Sequence, residues 1–464
     1  MAILEGRLQP KAKLPSSRDL VEQLGVSRTT VTSALDRLLA EGYLQAAQGS
    51  GTFVSSELPD ECPLLAANTS SGERAKKKGK RSAEPISKMG TRIQELADVS
   101  FYTGVPVPFC PGEPALDEFP ADIWAKIVRR TWRGVTPRDL SYGEAAGYTP
   151  LRKAIADHIR VHRGVQCDWK QVLVVSGTQQ AIDLVSRILL TPGSSMLFEN
   201  PGYTSARVAF SVAGYEVQPM PIDSHGALLP KRTNASVAYV TPSHQYPLGI
   251  TMPIERRLDF LAWAAERNGW IVEDDYDSEY RYGQQPIPSM QGLDAAERTF
   301  YVGSFSKVVC PALGLGYVIV PELLTNTCER VLRLLSRSPS KIDQMVLSEF
   351  IREGHFGRHL RRMRKTHASR RATFVSELES NLSSKLEIIG SSAGLHCTAL
   401  FQNRKSDVSA VAALEAAGIT ARPLSTYYSQ HTPKKERLNG LVFGFACATS
   451  AQIRRGMQTV AEVL

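Results

Sequence analysis

No run of apolar residues in this 464-residue chain approaches the ~20 that a bilayer-spanning helix needs. The opening Met1-Ala2-Ile3-Leu4-Glu5-Gly6-Arg7 carries neither an apolar signal-peptide core nor a cleavage site. A cytoplasmic protein with no membrane partner is therefore the expectation. Cysteine is sparse and badly spaced for cross-linking. The seven cysteines, Cys62, Cys110, Cys167, Cys310, Cys328, Cys397 and Cys447, lie far apart and form no Cys-x-x-Cys pair. Disulfides and a bound metal are not expected. No repeat at solenoid periods is visible either, which excludes a stacked array.

What is present is the composition of a globular protein, with 42% hydrophobic residues and length enough for two or three domains. The formal net charge of +9 points to a polyanionic partner such as nucleic acid. The chain divides at a stretch rich in Ser, Gly, Pro and charge, which includes Ser70-Ser71-Gly72 and the run KKKGKR from Lys76 to Arg81. We read residues 58–97 as a flexible basic linker between an N-terminal module (1–57) and a long C-terminal domain (98–464). In the latter, short apolar strands such as Val172–Val175, Ser236–Val240, Trp270–Glu273 and Arg298–Val302 alternate with helical stretches such as Gln179–Leu190 and Ile254–Asn268. That alternation predicts an α/β fold with a mostly parallel sheet. A long basic helix over Ser348–Leu378 and strands near His396–Phe401 and Leu441–Phe445 predict a smaller C-terminal α+β part.

In the N-terminal module, Leu14-Pro15-Ser16-Ser17-Arg18-Asp19-Leu20 opens a helix with a hydroxyl ready to cap it. Leu20, Val21 and Leu24 form its apolar face, and Gly25 ends it. Ser27 caps a second helix to about Glu41, with Val31, Leu35, Leu38 and Leu39 turned inward and Arg28, Thr29, Thr32 and Arg37 outward. Two short helices across a tight glycine turn match a helix-turn-helix, which puts Arg28, Thr29 and Thr30 at the groove-entering end. Tyr43-Leu44-Gln45 and Gly51-Thr52-Phe53-Val54 flank the tip Gln48-Gly49-Ser50-Gly51, which suits a two-stranded wing. Residues 1–60 hold six Lys and Arg against seven Asp and Glu, so any attraction to phosphate must come from a local face. The string LPSSRDLVEQLGVSRTTVTSALDRLLAEGYL followed by GSGTFV resembles the winged helix-turn-helix of the GntR family. The resemblance implies double-stranded DNA as partner, contacted by Ser17, Arg18, Arg28, Thr29, Thr30 and the wing at Gly51. It also implies a helix ahead of Gly6-Arg7-Leu8, which is absent from this sequence.

Three motifs sit at the ends of the long domain's strands. Ser176-Gly177-Thr178-Gln179-Gln180 opens a helix whose free N–H groups suit a phosphate. Glu273-Asp274-Asp275-Tyr276 and Ser304-Phe305-Ser306-Lys307 end two further strands, where sheets of this class gather ligand groups. A carboxylate, a phenol, hydroxyls and one lysine fit an aldehyde cofactor with a phosphate and a pyridine ring. Lys307 would form the Schiff base, Asp274 or Asp275 would pair with the pyridinium nitrogen, and Tyr276 would hydrogen-bond the ring oxygen. Ser304, Ser306, Gly177 and Thr178 would hold the phosphate.

SFSK, together with Phe109-Cys110-Pro111-Gly112, Phe119-Pro120, YGEAAGYTPLRKAI from Tyr142, ENPGY ending at Tyr203, and TPSHQYPLG from Thr241, resembles the fold-type I aminotransferases over about Val99 to Leu464. This implies pyridoxal phosphate as cofactor, Tyr203 at the cofactor, and Tyr142 reaching the phosphate of a neighbouring subunit in a homodimer. The GntR-like head joined to this body, with EDDYDSEY and TPSHQ both present, is similar to the MocR subfamily of GntR-type regulators. On that resemblance Asp274 is the pyridinium partner and Asp275 a structural neighbour. The expected function is transcription regulation, the body sensing a small amino compound or the cofactor itself.

Two departures mark the chain. The family reads S-K-x-x-x-P-x-x-R-x-G-Y, whereas SKVVCPALGLGY places Gly314 at the phosphate-gripping arginine. The lost charged contact predicts an affinity lower by roughly ten- to a hundredfold. The final strands, Gly440-Leu441-Val442-Phe443-Gly444-Phe445, also lack the arginine that takes a substrate carboxylate, leaving Arg422 and Arg207 as substitutes. The same residues leave open an active aminotransferase, with Lys307 as its catalytic group, and a regulator that has lost the cofactor. The basic helix residues Arg352, Arg358, Arg361, Arg362, Arg364, Lys365, Arg370 and Arg371 read as a solvated face or as a second DNA-phosphate patch.

Overall fold

The computed structural model describes residues 3, 7–47, 50–56, 87–96, 107–189, 191, 193–283, 287–335, 338–390, 392–403 and 405–464. The chain forms two compact units, residues 1–85 and 86–464. The run 76–81, the tip residues Gln48 and Gly49, and Cys62 lie outside the described residues.

In the first unit the helix Ser17–Leu24 starts at a capping box in which Ser16 accepts from Asp19 N and the Asp19 carboxylate accepts from Ser16 N. Gly25 ends it in the left-handed conformation at φ 63°. Ser27 then accepts from Thr30 N and starts the helix Arg28–Ala40. Strands Leu44–Ala47 and Gly51–Val54 pair antiparallel as the wing. Residues 11–14 run along its edge, with Leu14 N donating to Thr52 O and Val54 N to Ala12 O. Val31, Leu44 and Val54 form the small core. The stripe predicted for the first helix is only partly buried: Leu20 and Val21 are half-buried, and Leu24 is 63% exposed because so small a module has too little surface to cover it.

The second unit begins with a helix where the flexible linker was expected. Lys88–Leu96 is helical, with Ser87 Oγ accepting from Gly90 N, and lies against Thr204–Val212. Met89 and Ile93, four residues apart, supply the helical spacing that the charged surroundings masked. Beyond it, eight strands form one sheet in the order Val172–Val175, Gly316–Ile319, Thr299–Ser304, Trp270–Asp275, Val237–Val240, Ser195–Asn200, Glu216–Asp223 and Gly226–Ala227. Gly316–Ile319 runs antiparallel to both neighbours, and the five strands that follow it in that order run parallel to one another. Both faces are covered, so the central strands are buried along their length and largely apolar, with the acids of Trp270–Asp275 gathered at its end. Along Val172–Val175, Val172 and Val174 enter one core and Leu173 and Val175 the other. Helices Thr149–Arg163 and Lys341–Arg352 close the first face, while Thr178–Leu189, Thr204–Val212 and Thr325–Leu335 close the second.

A smaller antiparallel sheet, in the order Leu386–Ile389, His396–Phe401, Gly440–Gly444 and Arg422–Pro423, packs against His355–Leu382 and Asp407–Ala416, with Ser450–Val463 lying along His355–Leu382. The single helix expected over Ser348–Leu378 is two, Lys341–Arg352 and His355–Leu382, broken at Gly354 with φ 72°. A glycine in that conformation ends a helix at little steric cost, and the apolar periodicity continues past it. The six described cysteines are free.

Candidate functional site

Strands Trp270–Asp275 and Thr299–Ser304 lie side by side, with Asp274 opposite Val302 and Asp275 opposite Gly303. The acidic pair and the SFSK turn therefore leave the sheet at one edge. Phe305, Val308 and Val309 anchor that turn in the core, and Tyr280 donates to Lys307 O at 3.2 Å. The backbone is fixed while the amine reaches Gly112. A Cβ on Gly112 would stand 3.2 Å from Lys307 Nζ, and its φ of 81° also calls for glycine. Burial lowers the Lys307 pKa, opposed by Glu113, Asp277, Cys110 and Asp274. This favours the neutral, nucleophilic amine.

The two aspartates have different surroundings. Asp275 Oδ2 accepts from Arg163 Nε at 2.7 Å and from Tyr301 at 2.6 Å, and Arg163 also donates to Ser243 Oγ and Ile287 O. Burial works against the Arg163 charge, and Asp275, Tyr301 and Glu273 together more than offset it. Asp274 Oδ2 accepts from Tyr239 at 2.5 Å, while its Oδ1 is buried with no partner. Burial pushes the Asp274 pKa up to about 7, against the Tyr239 hydrogen bond. Asp275 Oδ1 is likewise buried without a partner, so the pair differs at Oδ2, where Asp275 meets the Arg163 cation and Asp274 meets only a neutral phenol.

Tyr276, expected at the ring oxygen, donates to His244 O at 2.8 Å, with His244 Nδ1 3.1 Å from its hydroxyl. His244 Nδ1 also lies 3.1 Å from both Asp277 oxygens, and the His396 ring centroid is 4.8 Å from that of His244. His244, Asp277 and His396 are buried, with one ligating atom each within 4.8 Å, the one such group among the described residues. Both Asp277 oxygens are turned to His244 while His396 Nε2 bonds Pro247 O, so the trio is a hydrogen-bonded pair with a ring packed beside it. Sequence reasoning missed it, although TPSHQ and EDDYDSEY carry two of its members.

Among the residues expected to hold the phosphate, Gly177 at φ 82° leads into the first turn of Thr178–Leu189. Ser304 Oγ accepts from Ser306 N at 3.1 Å. Gly314 caps the turn Pro311–Leu313 at φ 59°, and nothing lies within 4 Å of where its Cβ would be. The place the family gives to arginine is open space with a left-handed backbone. Tyr203 meets Tyr246 edge-on at 5.8 Å and hydrogen-bonds Ser205 and Gln179.

Arg422 and Lys307 both act on the Cys110 thiol, and Arg422 also acts on Tyr246 and Tyr427, whose hydroxyls are 3.0 Å apart. Arg207 is spent differently. Its Nη1 donates to Tyr427 O at 2.7 Å, and burial lowers its pKa to about 10. Tyr142 lies outside its own chain's pocket at 84% exposure. Of the basic helix, Arg370 pairs with Asp117, Arg364 donates to Glu279 O and Arg362 to Glu118 O, so much of the expected phosphate patch is engaged within the unit.

In the first unit Arg18, Arg28 and Thr29 are exposed and Ser17 is half-buried. The Thr30 hydroxyl is 2.8 Å from Ser27 Oγ, tied to the helix cap. Gly51 has φ 114°, and a Cβ there would meet Lys13 Cε at 3.0 Å. Of the residues expected to contact DNA, Arg18, Arg28 and Thr29 are thus the exposed side chains whose groups no helix cap engages.

Residues 106–458 match the family model "Aminotransferase class I and II", and residues 1–54 match "Bacterial regulatory proteins, gntR family". Solved structures agree on the fold. LysN, an α-aminoadipate aminotransferase of Thermus thermophilus complexed with a phosphopyridoxyl-leucine, superposes with a TM-score of 0.72 at 25% identity, covering 82% of this chain and 97% of that one. A kynurenine aminotransferase of Pyrococcus horikoshii gives 0.71 at 23%, covering 83% and 96%. The body is a class I/II aminotransferase fold, a pyridoxal-phosphate-dependent family, and the head is a GntR-type DNA-binding domain. The chain is 37% identical to the probable rhizopine catabolism regulatory protein MocR of Rhizobium meliloti, over 99% of its own length and 90% of the relative's. It is 31% identical to the pyridoxine biosynthesis regulator PdxR of Corynebacterium glutamicum, over 100% and 93%. It belongs to the MocR subfamily of GntR-type transcriptional regulators. No helix among the described residues is long and apolar enough to cross a membrane.

Proposed function

We propose that this regulator holds pyridoxal phosphate on Lys307 and adjusts its DNA binding to a small amino compound that reaches the same site. The observation that carries the reading is the Asp274 carboxyl at the strand end beside the Lys307 turn: its Oδ1 is buried without a partner and, unlike Asp275, which is paired with Arg163, it is met only by a neutral hydroxyl. An orphaned carboxylate oxygen there is costly unless a cationic donor meets it, and a pyridinium N–H is such a donor. When bound, the cofactor supplies an electrophilic carbon and an electron-withdrawing ring. Asp274 Oδ1 then holds the ring-nitrogen proton, and Lys307 offers a neutral amine beside Gly112. Gly177, Thr178, Ser304 and Ser306 receive the phosphate, without an arginine at 314. Tyr203 and Tyr276 border the ring.

Arg422 takes the effector's carboxylate, because it shares Cys110 with Lys307 whereas Arg207 is spent on Tyr427. Two copies pair, which gives the exposed Tyr142 a neighbouring subunit's phosphate to reach. In the head, Arg28, Thr29, Arg18, Ser17, Thr30 and the Gly51 wing meet double-stranded DNA.

Footprinting of the full chain on a selected duplex, with cofactor and with cofactor plus amine, tests the coupling. A footprint altered by the amine in wild type and unaltered in Lys307→Ala is expected. Identical footprints in all conditions would contradict it.

A further inference from the structure

Tyr239 lies in the strand next to Asp274 and is fully buried. Phe198 stacks on its ring at 4.7 Å and 5°, and Phe210 meets it edge-on at 5.8 Å. The phenol therefore has one direction in which to point, and its hydroxyl donates to Asp274 Oδ2 at 2.5 Å. The other oxygen is left bare. We propose that Tyr239 is a positioning residue for the cofactor site: it fixes the Asp274 carboxyl so that Oδ1 faces the ligand, and its hydrogen bond favours the carboxylate form in a dry pocket. The part that concerns the cofactor rests on the function proposed above; the control of the Asp274 proton does not.

The surroundings make such control necessary. Asp274 is influenced by Asp275 and Asp277 from its own strand end, by Glu199 and Tyr203 from the strand beyond that of Tyr239 and the loop that follows it, by Tyr276, and by Lys307. Asp275 is committed to Arg163, and Glu199 to Thr241 and Gln245. Four acids in so small a space oppose one another's charge, and Lys307 alone among these neighbours can carry a positive one. A hydrogen bond into Asp274 Oδ2 stabilises the carboxylate without adding a charge. Removing it raises the proton affinity of Asp274. A protonated Asp274 is no longer the anionic partner of a pyridinium, so cofactor binding weakens as pH falls through the Asp274 titration.

The test has two arms on the full chain. In the first, cofactor-free protein carrying 13C-carboxyl aspartate is titrated by NMR, with Asp274→Asn assigning the signal. Tyr239→Phe is expected to move the Asp274 titration to higher pH. An unmoved titration overturns the proposal whether or not the protein binds cofactor. In the second, pyridoxal phosphate affinity is measured against pH. Tyr239→Phe should bind roughly tenfold more weakly at neutral pH, with the acid limb moved up in pH, and should cost nothing further in an Asp274→Asn background. An equal loss in both backgrounds marks a merely structural role and overturns it. Absence of binding by wild type in this arm alone would instead sink the function on which it rests. Phe198→Leu keeps the hydroxyl but loosens its seat; it should shift the NMR titration the same way by less, and covers the case in which Tyr239→Phe fails to fold.

Discussion

Among the described residues the N-terminal unit buries Val31, Leu44, Val54 and Ser55, whereas the C-terminal unit buries whole strands and, at the ends of strands and of one helix, Glu199, Glu273, Asp274, Asp275 and Arg163. The first presents its DNA-facing groups on the surface of a thin core. The second fixes its polar groups through partners drawn from distant strands. Exposed groups act nearly independently, so substitutions in the head should be modest and additive. Buried charges are held by one another, so substitutions in the body should be large and coupled.

Four substitutions test this contrast, in falling order of effect. Lys307→Ala should abolish the visible absorbance that pyridoxal phosphate gives with wild type, while salt-dependent DNA binding without ligand persists; a retained band breaks the body's side of the comparison. Arg163→Ala leaves Asp275 buried without its cation and should cost about 3–5 kcal/mol of body stability in urea. A loss below about 1 kcal/mol would mean that solvent reaches this pair and that its charges are not confined. Arg28→Ala should weaken DNA binding by about 1–3 kcal/mol and leave cofactor affinity unchanged. Ser27→Ala removes the cap of the reading helix and should cost the head about 1 kcal/mol in thermal melts.

The contrast also explains how far the sequence could be read. Val172–Val175 and Val237–Val240 were legible because a strand covered on both faces must be apolar along its length. The two head helices were legible from Ser16, Gly25 and Ser27, whose capping chemistry is local. Where a boundary depended on one backbone conformation, periodicity misled: Gly354 splits a helix that the apolar pattern runs straight through. In the same way, charge around Met89 and Ile93 hid the helix Lys88–Leu96 inside an expected linker. At the site, Asp274, Tyr276 and Lys307 stood out because motif and strand end coincide. Arg163, Tyr239 and His396 did not, since each acquires its role from partners far along the chain; Arg163 and Asp275 are 112 positions apart. Leu24 shows the reverse limit, because an apolar stripe predicts a buried face only where there is something to bury it against.

The most direct test of the account is reduction of the protein with borohydride after pyridoxal phosphate is added, followed by peptide mapping. The account predicts a phosphopyridoxyl group on Lys307, absent when Asp274 and Tyr239 are both replaced and excess cofactor is washed away. An unmodified Lys307 in the wild-type protein, or label spread over surface lysines instead, would contradict it.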